Sequence, residues 1–366
     1  MTLARRGAAV AVALLIVGAL AAGPMAQAAP PSTPGTPLAA DDVRVVREVE
    51  FAQVDGTTLT LDVYRSKQPS DGLPVVVLVH GGAWGSGKAQ DLEDEARLVA
   101  REGWVAFSIN YRLVGETPHP WPDELTDVQR AVRWVGAHAS EYGGDASKLA
   151  MLGVSAGGHL AIMAGEIGTA VDGTGATIAD DNPAVQIKAV AAWSPPTKLS
   201  GLTTPSDADA PPDCTDNKAC TEFWRLPLVK SFIGCSIEDC PKDYDAASPV
   251  YRVNPDGVPV WFSNGTDELV PLVQAQELDR ALLAAHVDHH LEVIDGSGHG
   301  DQDESKVWND MMAWLAAKLG VPSPPPISFA GRNLLLSPVV VISVIVGLAL
   351  LILLFAIALR DDEGDL

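Results

Sequence analysis

Residues 149–157 read Leu149-Ala150-Met151-Leu152-Gly153-Val154-Ser155-Ala156-Gly157. A short apolar run of this kind, closed by glycine, reads as a strand buried on both faces. The apolar stretch Ala156 to Ala164 then reads as a helix leaving the same turn. A serine pinned between strand and helix sits on a tight, strained turn that lifts its hydroxyl above the sheet edge. The helix N-terminus behind it supplies free N–H groups and a positive dipole. Ser155 is therefore the candidate nucleophile.

Working outward, Val75–Val79, Val105–Ile109, Ala189–Trp193, Val258–Phe262 and His290–Ile294 are further β-branched or apolar runs. Between them lie segments of helical period: Asp91–Arg101, Glu124–His138, Pro271–Ala285 and Ser305–Leu319. In Thr126–Val135 the residues Val128, Ala131, Val132 and Val135 form one stripe, with Asp127, Gln129, Arg130 and Arg133 expected to face away. Strands alternating with helices imply right-handed crossovers and an α/β fold with a mostly parallel sheet, helices on both faces. Val43–Phe51 and Thr58–Tyr64 alternate instead and suit N-terminal antiparallel strands turning near Asp55-Gly56.

Serine is a poor nucleophile without a base. Of the histidines, His299 lies in a glycine-rich loop, Gly296-Ser297-Gly298-His299-Gly300, beyond the last strand. His138, His159, His286, His289 and His290 read as structural, and His80 as a local brace. The acid that orients the imidazole is expected between serine and histidine. Asp267, in Asn264-Gly265-Thr266-Asp267-Glu268, follows a strand and precedes a helix; Glu268 is its nearest rival and Asp295 a more distant one. Upstream, His80-Gly81-Gly82-Ala83-Trp84 directly follows a strand, so its main-chain N–H groups are free to meet an oxygen anion.

The ends of the chain read differently. Met1 to Ala28 has Arg5-Arg6, a small-apolar stretch and Ala26-Gln27-Ala28, the pattern of a secretory signal peptide. Residues 29–40 read as a linker, 41–320 as the folded body and 321–337 as a proline-rich stalk. Val339–Leu359 is apolar except for Ser343 and, as a helix, would be roughly 30 Å long, so residues 338–359 read as a transmembrane helix and 360–366 as a cytoplasmic tail. The expectation is an exported body anchored in the cell membrane. Cys214, Cys220, Cys235 and Cys240 cluster in an insertion at about 200–245, and export makes them disulfide candidates rather than a zinc site. Acids outnumber bases 47 to 25, so a nucleic-acid partner is excluded by repulsion.

The body resembles the α/β-hydrolase carboxylesterases of the hormone-sensitive-lipase-like and feruloyl/acetyl-xylan-esterase-like groups. The resemblance rests on His80–Trp84, Asn110-Tyr111-Arg112-Leu113, Asp127 with Ala131–Trp134, Gly153–Gly157, Asp267 and His299. It implies an α/β-hydrolase fold, a catalytic triad of Ser155, Asp267 and His299, and an oxyanion hole from the N–H groups of Gly82, Ala83 and Ala156. It implies cleavage of small-molecule carboxylic esters through an acyl-enzyme, with no metal and no cofactor. A peptidase or amidase, or a non-catalytic adhesion module, are the alternatives on the same fold. Ala83 stands where the lipase-like group commonly has a third glycine, and the cysteine-bearing insertion matches nothing in the family pattern. That insertion is expected to cap the acyl or alcohol pocket, with Trp84, Phe223, Trp224 and Phe232 as candidate lining; a disulfide-tied surface loop is the alternative.

Overall fold

The structure is a computed structural model and describes residues 42–68, 70–202, 228–296 and 298–329. All belong to one compact unit within Thr36–Leu366. Cys214, Cys220, Phe223, Trp224, the signal-like residues 1–28 and the apolar residues 338–359 lie outside the described residues. Among the described residues, no helix is long and apolar enough to cross a membrane.

The first strands among the described residues form a hairpin, β1 (Val43–Val54) and β2 (Thr57–Ser66), closed by Asp55 and Gly56, both at positive φ. A two-residue turn with both φ values positive matches the right-handed twist of the strands, which explains the Asp-Gly pair. There follow β3 (Leu73–Val79), α1 (Glu93–Arg101), β4 (Val105–Ile109), α2 (Pro120–His138), β5 (Gly144–Val154), α3 (Ala156–Ile167) and β6 (Ala189–Trp193). The inserted segment contributes α4 (Leu228–Ile233) and α5 (Pro241–Ala246); β7 (Val260–Gly265), α6 (Leu272–Ala285), β8 (His289–Ile294) and α7 (Glu304–Leu319) complete the described elements. The strands form one eight-stranded sheet in the order β1-β2-β4-β3-β5-β6-β7-β8. The β1–β2 and β2–β4 pairs are antiparallel and the pairs from β4–β3 to β7–β8 parallel, as the sequence pattern predicts.

The pleat sorts side chains onto two faces. Val75, Val77 and Val79 pack with Val128 of α2, Leu160 of α3 and Leu278 of α6, whereas Val76 and Leu78 pack with Leu98 of α1 and Trp308 of α7. The central strand β3 is apolar at both parities because both of its faces are covered.

Helix α2 departs from its expected pattern. Its apolar stripe is buried, but Asp127, Gln129 and Arg133 are buried as well. Gln129 donates to the carbonyls of Gly168 and Val171, and Arg133 to those of Thr169 and Asn182. The polar side of α2 therefore holds the long connection between α3 and β6, a contact distant in sequence that helical periodicity does not register.

Asp127 grips Arg112 with both oxygens, at 2.7 Å to Nε and 3.0 Å to Nη2, and also accepts the Arg112 N–H. Arg112 is 2 % exposed. Replacing Asp127 by Ala strands a buried guanidinium, and breaking such a pair typically costs about 3–5 kcal/mol. We expect a loss of that order in urea unfolding of Asp127→Ala, softened to the extent that Asp55 and Asp123, which also approach Arg112, take up the charge.

Glu166, near the end of α3, offers a pH-dependent test. Burial pushes its carboxyl up to about 7 from 4.5. The folded protein thus holds a proton there between those values that the unfolded chain releases, so this group makes stability fall as pH rises through that window. The isosteric Glu166→Gln should remove the fall. Relative to wild type, the variant should gain up to about 3 kcal/mol between pH 4.5 and 8, read from urea midpoints.

The segment after α7 is not wholly a free stalk. Ile327 is buried and exchanges two hydrogen bonds with the Asn309 side chain, so the packed body extends past the expected boundary at residue 320.

Candidate active site

Strand β5 ends at Val154, and Ser155 takes φ 53°, ψ −119° before α3 begins. A non-glycine residue held there costs of order 1–3 kcal/mol and persists only where its surroundings enforce it. The enforcement is visible. The Ser155 N–H donates to the Trp193 carbonyl at 2.8 Å. A Cβ on Gly153 would lie 2.2 Å from the Gly157 carbonyl oxygen, and one on Gly157 would lie 2.1 Å from that of Val79. The two flanking glycines are needed because backbone crosses backbone at both positions.

His299 follows β8 and is brought over the same sheet edge. Its Nε2 accepts from the Ser155 hydroxyl at 3.0 Å. Its Nδ1–H donates to Glu268 Oε2 at 2.6 Å, which fixes the tautomer with Nε2 unprotonated. The other Glu268 oxygen accepts the Gly265 N–H at 2.9 Å, and the carboxylate is fully buried.

Here the structure corrects the sequence expectation. The acid at the imidazole is Glu268 and not Asp267. In the turn after β7, Asp267 is exposed and reaches the β8 loop through its backbone, N–H to the Gly296 carbonyl at 3.0 Å. That bond turns residue 267 outward and residue 268 inward. Asp295 is also exposed and accepts from the Thr266 hydroxyl. Ser194, which sequence reading did not single out, accepts the Gly300 N–H at 2.9 Å through its hydroxyl and so holds the histidine loop. Ser194 itself has φ 50°, a conformation with no sequence signature in a serine.

The loop after β3 passes close to the nucleophile: a Cβ on Gly81 would lie 3.3 Å from that of Ser155. Gly82, Ala83 and Trp84 all have positive φ, and the Gly82 carbonyl accepts from the N–H groups of Gly85 and Ser86. This closes the loop on its carbonyl side. Ala156 opens α3, whose first N–H groups have no carbonyl partner within the helix. The three N–H groups expected to meet an oxyanion thus lie on the two segments that flank Ser155. Asn110 and Tyr111 brace this region, through Asn110 Oδ1 accepting from Ala89 N–H and the Tyr111 hydroxyl donating to the His80 carbonyl.

His80 is not a base at this site. It is buried, stacked on Tyr111 at 4.4 Å, and its Nδ1–H donates to the Gly81 carbonyl; burial holds its pKa below the usual imidazole range. His159 is likewise internal. It accepts from Trp84 Nε1–H at 3.2 Å and donates from Nε2 to the Ala247 carbonyl at 2.7 Å, and burial depresses its pKa to about 4. Phe232 from the insertion stacks on Trp84 at 4.6 Å. Cys235 and Cys240 are joined as a disulfide across a short local loop. Among the described residues, the one cluster of potential metal ligands is this same pair with Asp243, and its two sulfurs are spent on each other.

A hydroxyl hydrogen-bonded to an imidazole, itself held by a buried carboxylate, at the C-terminal edge of a parallel sheet is the site of an α/β-hydrolase fold. The comparisons with known proteins agree. Residues 61–282 match the BD-FAE family model, and the chain belongs to that family. It is 31% identical over 278 residues to esterase LipC of Mycobacterium tuberculosis, covering 74% of this chain and 64% of LipC. It is 32% identical to the probable carboxylic ester hydrolase LipM of the same organism, over 56% of this chain and 43% of LipM. The chain thus spans less than two thirds of either relative. In fold it is similar to a truncated carbohydrate esterase from gut microbiota, with TM-score 0.64 and 21% identity, over 78% of this chain and all of that one. It is similar also to the propionate-bound esterase Est2 of Thermogutta terrifontis, with TM-score 0.59 and 22% identity, over 78% and 98% of the two chains.

Proposed function

We propose that the protein is a serine carboxylic ester hydrolase with Ser155 as nucleophile, His299 as general base and acid, and Glu268 as the group that orients His299. The observation that carries this reading is the unbroken relay from Ser155 Oγ to His299 Nε2 and from His299 Nδ1 to Glu268. His299 takes the hydroxyl proton as Ser155 attacks the ester carbonyl. Glu268 keeps Nδ1 protonated and stabilises the imidazolium that forms. Its second oxygen is held by the Gly265 N–H, so the carboxylate does not rotate away. The N–H groups of Gly82, Ala83 and Ala156 receive the tetrahedral oxyanion, and the start of α3 adds its dipole. His299 then protonates the departing alkoxide, and a water activated by the same imidazole releases the acid from the acyl-enzyme. No step calls on a group beyond the chain's own residues and water.

The substrate reading is a small carboxylic ester, supported by relatives described as esterases and by a fold neighbour holding propionate. The signal-like residues 1–28 and the apolar residues 338–359 support export and tethering to the membrane, with residues 41–320 outside the cytoplasm. The test is a matched pair of substrates, 4-nitrophenyl acetate and 4-nitroacetanilide, on the purified protein. The ester should be turned over with kcat/KM at least a thousandfold above the anilide. Comparable rates on both would favour an amidase, and turnover of neither would favour a non-catalytic module.

A further inference from the structure

We infer that Phe232, delivered by the cysteine-bridged insertion, ends the acyl-binding side of the site and restricts it to short acyl groups. This rests on the ester-hydrolase reading above and names the residue that sets its substrate range.

The sheet order tells the two arms of the ester apart. β5, which carries Ser155 at its end, has β3 on one side and β6, β7 and β8 on the other. His299 comes from beyond β8, and the imidazole must protonate the leaving alkoxide. The alcohol arm therefore lies on the β6–β8 side. The oxyanion takes the N–H groups of Gly82 and Ala83, and the acyl arm, the substituent that remains, runs between that loop and α3, past Trp84.

A fixed aromatic wall stands on that side. Trp84 follows the Gly82-Ala83 pair directly, and His159 lies one helical turn beyond Ser155. Side chains on a helix lean toward its N-terminus, so the His159 ring leans back toward the nucleophile. The Phe232 ring lies flat against Trp84, 4.6 Å away with a 13° interplanar angle, and meets His159 edge-on at 5.5 Å and Trp121 at 5.9 Å. Trp84, His159 and Phe232 are each 0 % exposed, so no open depth is left between them. The hydrogen bonds from Trp84 to His159 and from His159 to the Ala247 carbonyl fix two of these rings in place. A longer acyl chain has to displace Phe232.

What holds Phe232 is the bridged loop that follows it. Cys235 and Cys240 close that loop within two residues of the end of α4. The Cys235 carbonyl accepts from the Tyr244 hydroxyl, the Tyr244 carbonyl from the Ser248 hydroxyl, and Ser248 Oγ from the Leu199 N–H. The chain of bonds ties α4 to the segment that leaves β6, beside the carbonyl that anchors His159.

The experiment is kcat/KM on 4-nitrophenyl esters from acetate to octanoate, with a fluorophosphonate labelling control, on the full-length protein and its variants. Wild type should favour acetate over octanoate steeply. Phe232→Ala should raise the octanoate-to-acetate ratio at least tenfold, and Cys235→Ser combined with Cys240→Ser should move it the same way by a smaller factor. Should the alanine variant fail to fold, Phe232→Leu decides, with a rise of threefold or more expected. Variants that label with the probe and keep the wild-type ratio overturn the inference and leave the hydrolase reading intact. A wild-type protein that neither labels nor turns over acetate overturns the hydrolase reading first.

Discussion

Ser155→Ala should lower kcat on 4-nitrophenyl acetate by roughly 10⁴- to 10⁶-fold while leaving KM and stability close to wild type. In the proposed mechanism the hydroxyl is the atom that forms the acyl-enzyme, so no neighbouring group replaces it. What the substitution leaves in place is the imidazole, its carboxylate and the backbone donors, and such remnants typically retain some rate above water. The fold should survive because Ser155 is held by its main chain: the N–H bond to Trp193 and the glycine-lined crossing are independent of the hydroxyl. His299 loses one partner but is partly exposed, with 21% side-chain accessibility, so water can replace the lost donor. Steady-state kinetics with thermal unfolding as the folding control would read this.

The second large effect separates two adjacent carboxylates. Glu268→Gln should lower kcat by about 10³- to 10⁴-fold, because an amide neither carries the charge that stabilises the imidazolium nor enforces one tautomer. A drop of 10³ corresponds to about 4 kcal/mol of barrier. The Gln side chain is close in size and can still meet the Gly265 N–H through its oxygen, so the loss should be in kcat and not in folding. Asp267→Asn should stay within about threefold of wild type, since that side chain is exposed and its link to the Gly296 carbonyl runs through the backbone. The opposite ranking of the two variants would restore Asp267 as the orienting acid.

That adjacent pair shows where sequence reading stops. The strands of the parallel sheet are legible because burial on both faces demands unbroken β-branched runs, and β3 and β6 lie where those runs lie. Ser155 is legible because a strand, a tight glycine turn and a helix in succession leave few conformations. His299 is legible because its loop follows the last strand. The acid is a matter of which way one turn faces. After β7 the N–H groups of Thr266 and Asp267 donate to the Ile294 and Gly296 carbonyls and Thr266 Oγ1 accepts the Gly296 N–H; these bonds select the inward residue and link residues about 30 apart in the chain. Two acidic residues side by side give local pattern no means to choose between them. Ser194 and the buried polar side of α2 were hidden for the same reason, since their partners are Gly300 and the loop beyond α3. Phe232 could be picked out as an aromatic of the insertion, but not its stacking on Trp84, which depends on how that segment returns to the sheet edge.

Ester turnover by the proposed route requires that Ser155 become covalently acylated. Incubating the full-length protein with a fluorophosphonate and mapping the adduct by peptide mass spectrometry tests it most directly. One phosphonate is expected on the peptide that contains Ser155, absent from Ser155→Ala. An adduct on a different residue, or full ester turnover with Ser155 unmodified, would contradict it.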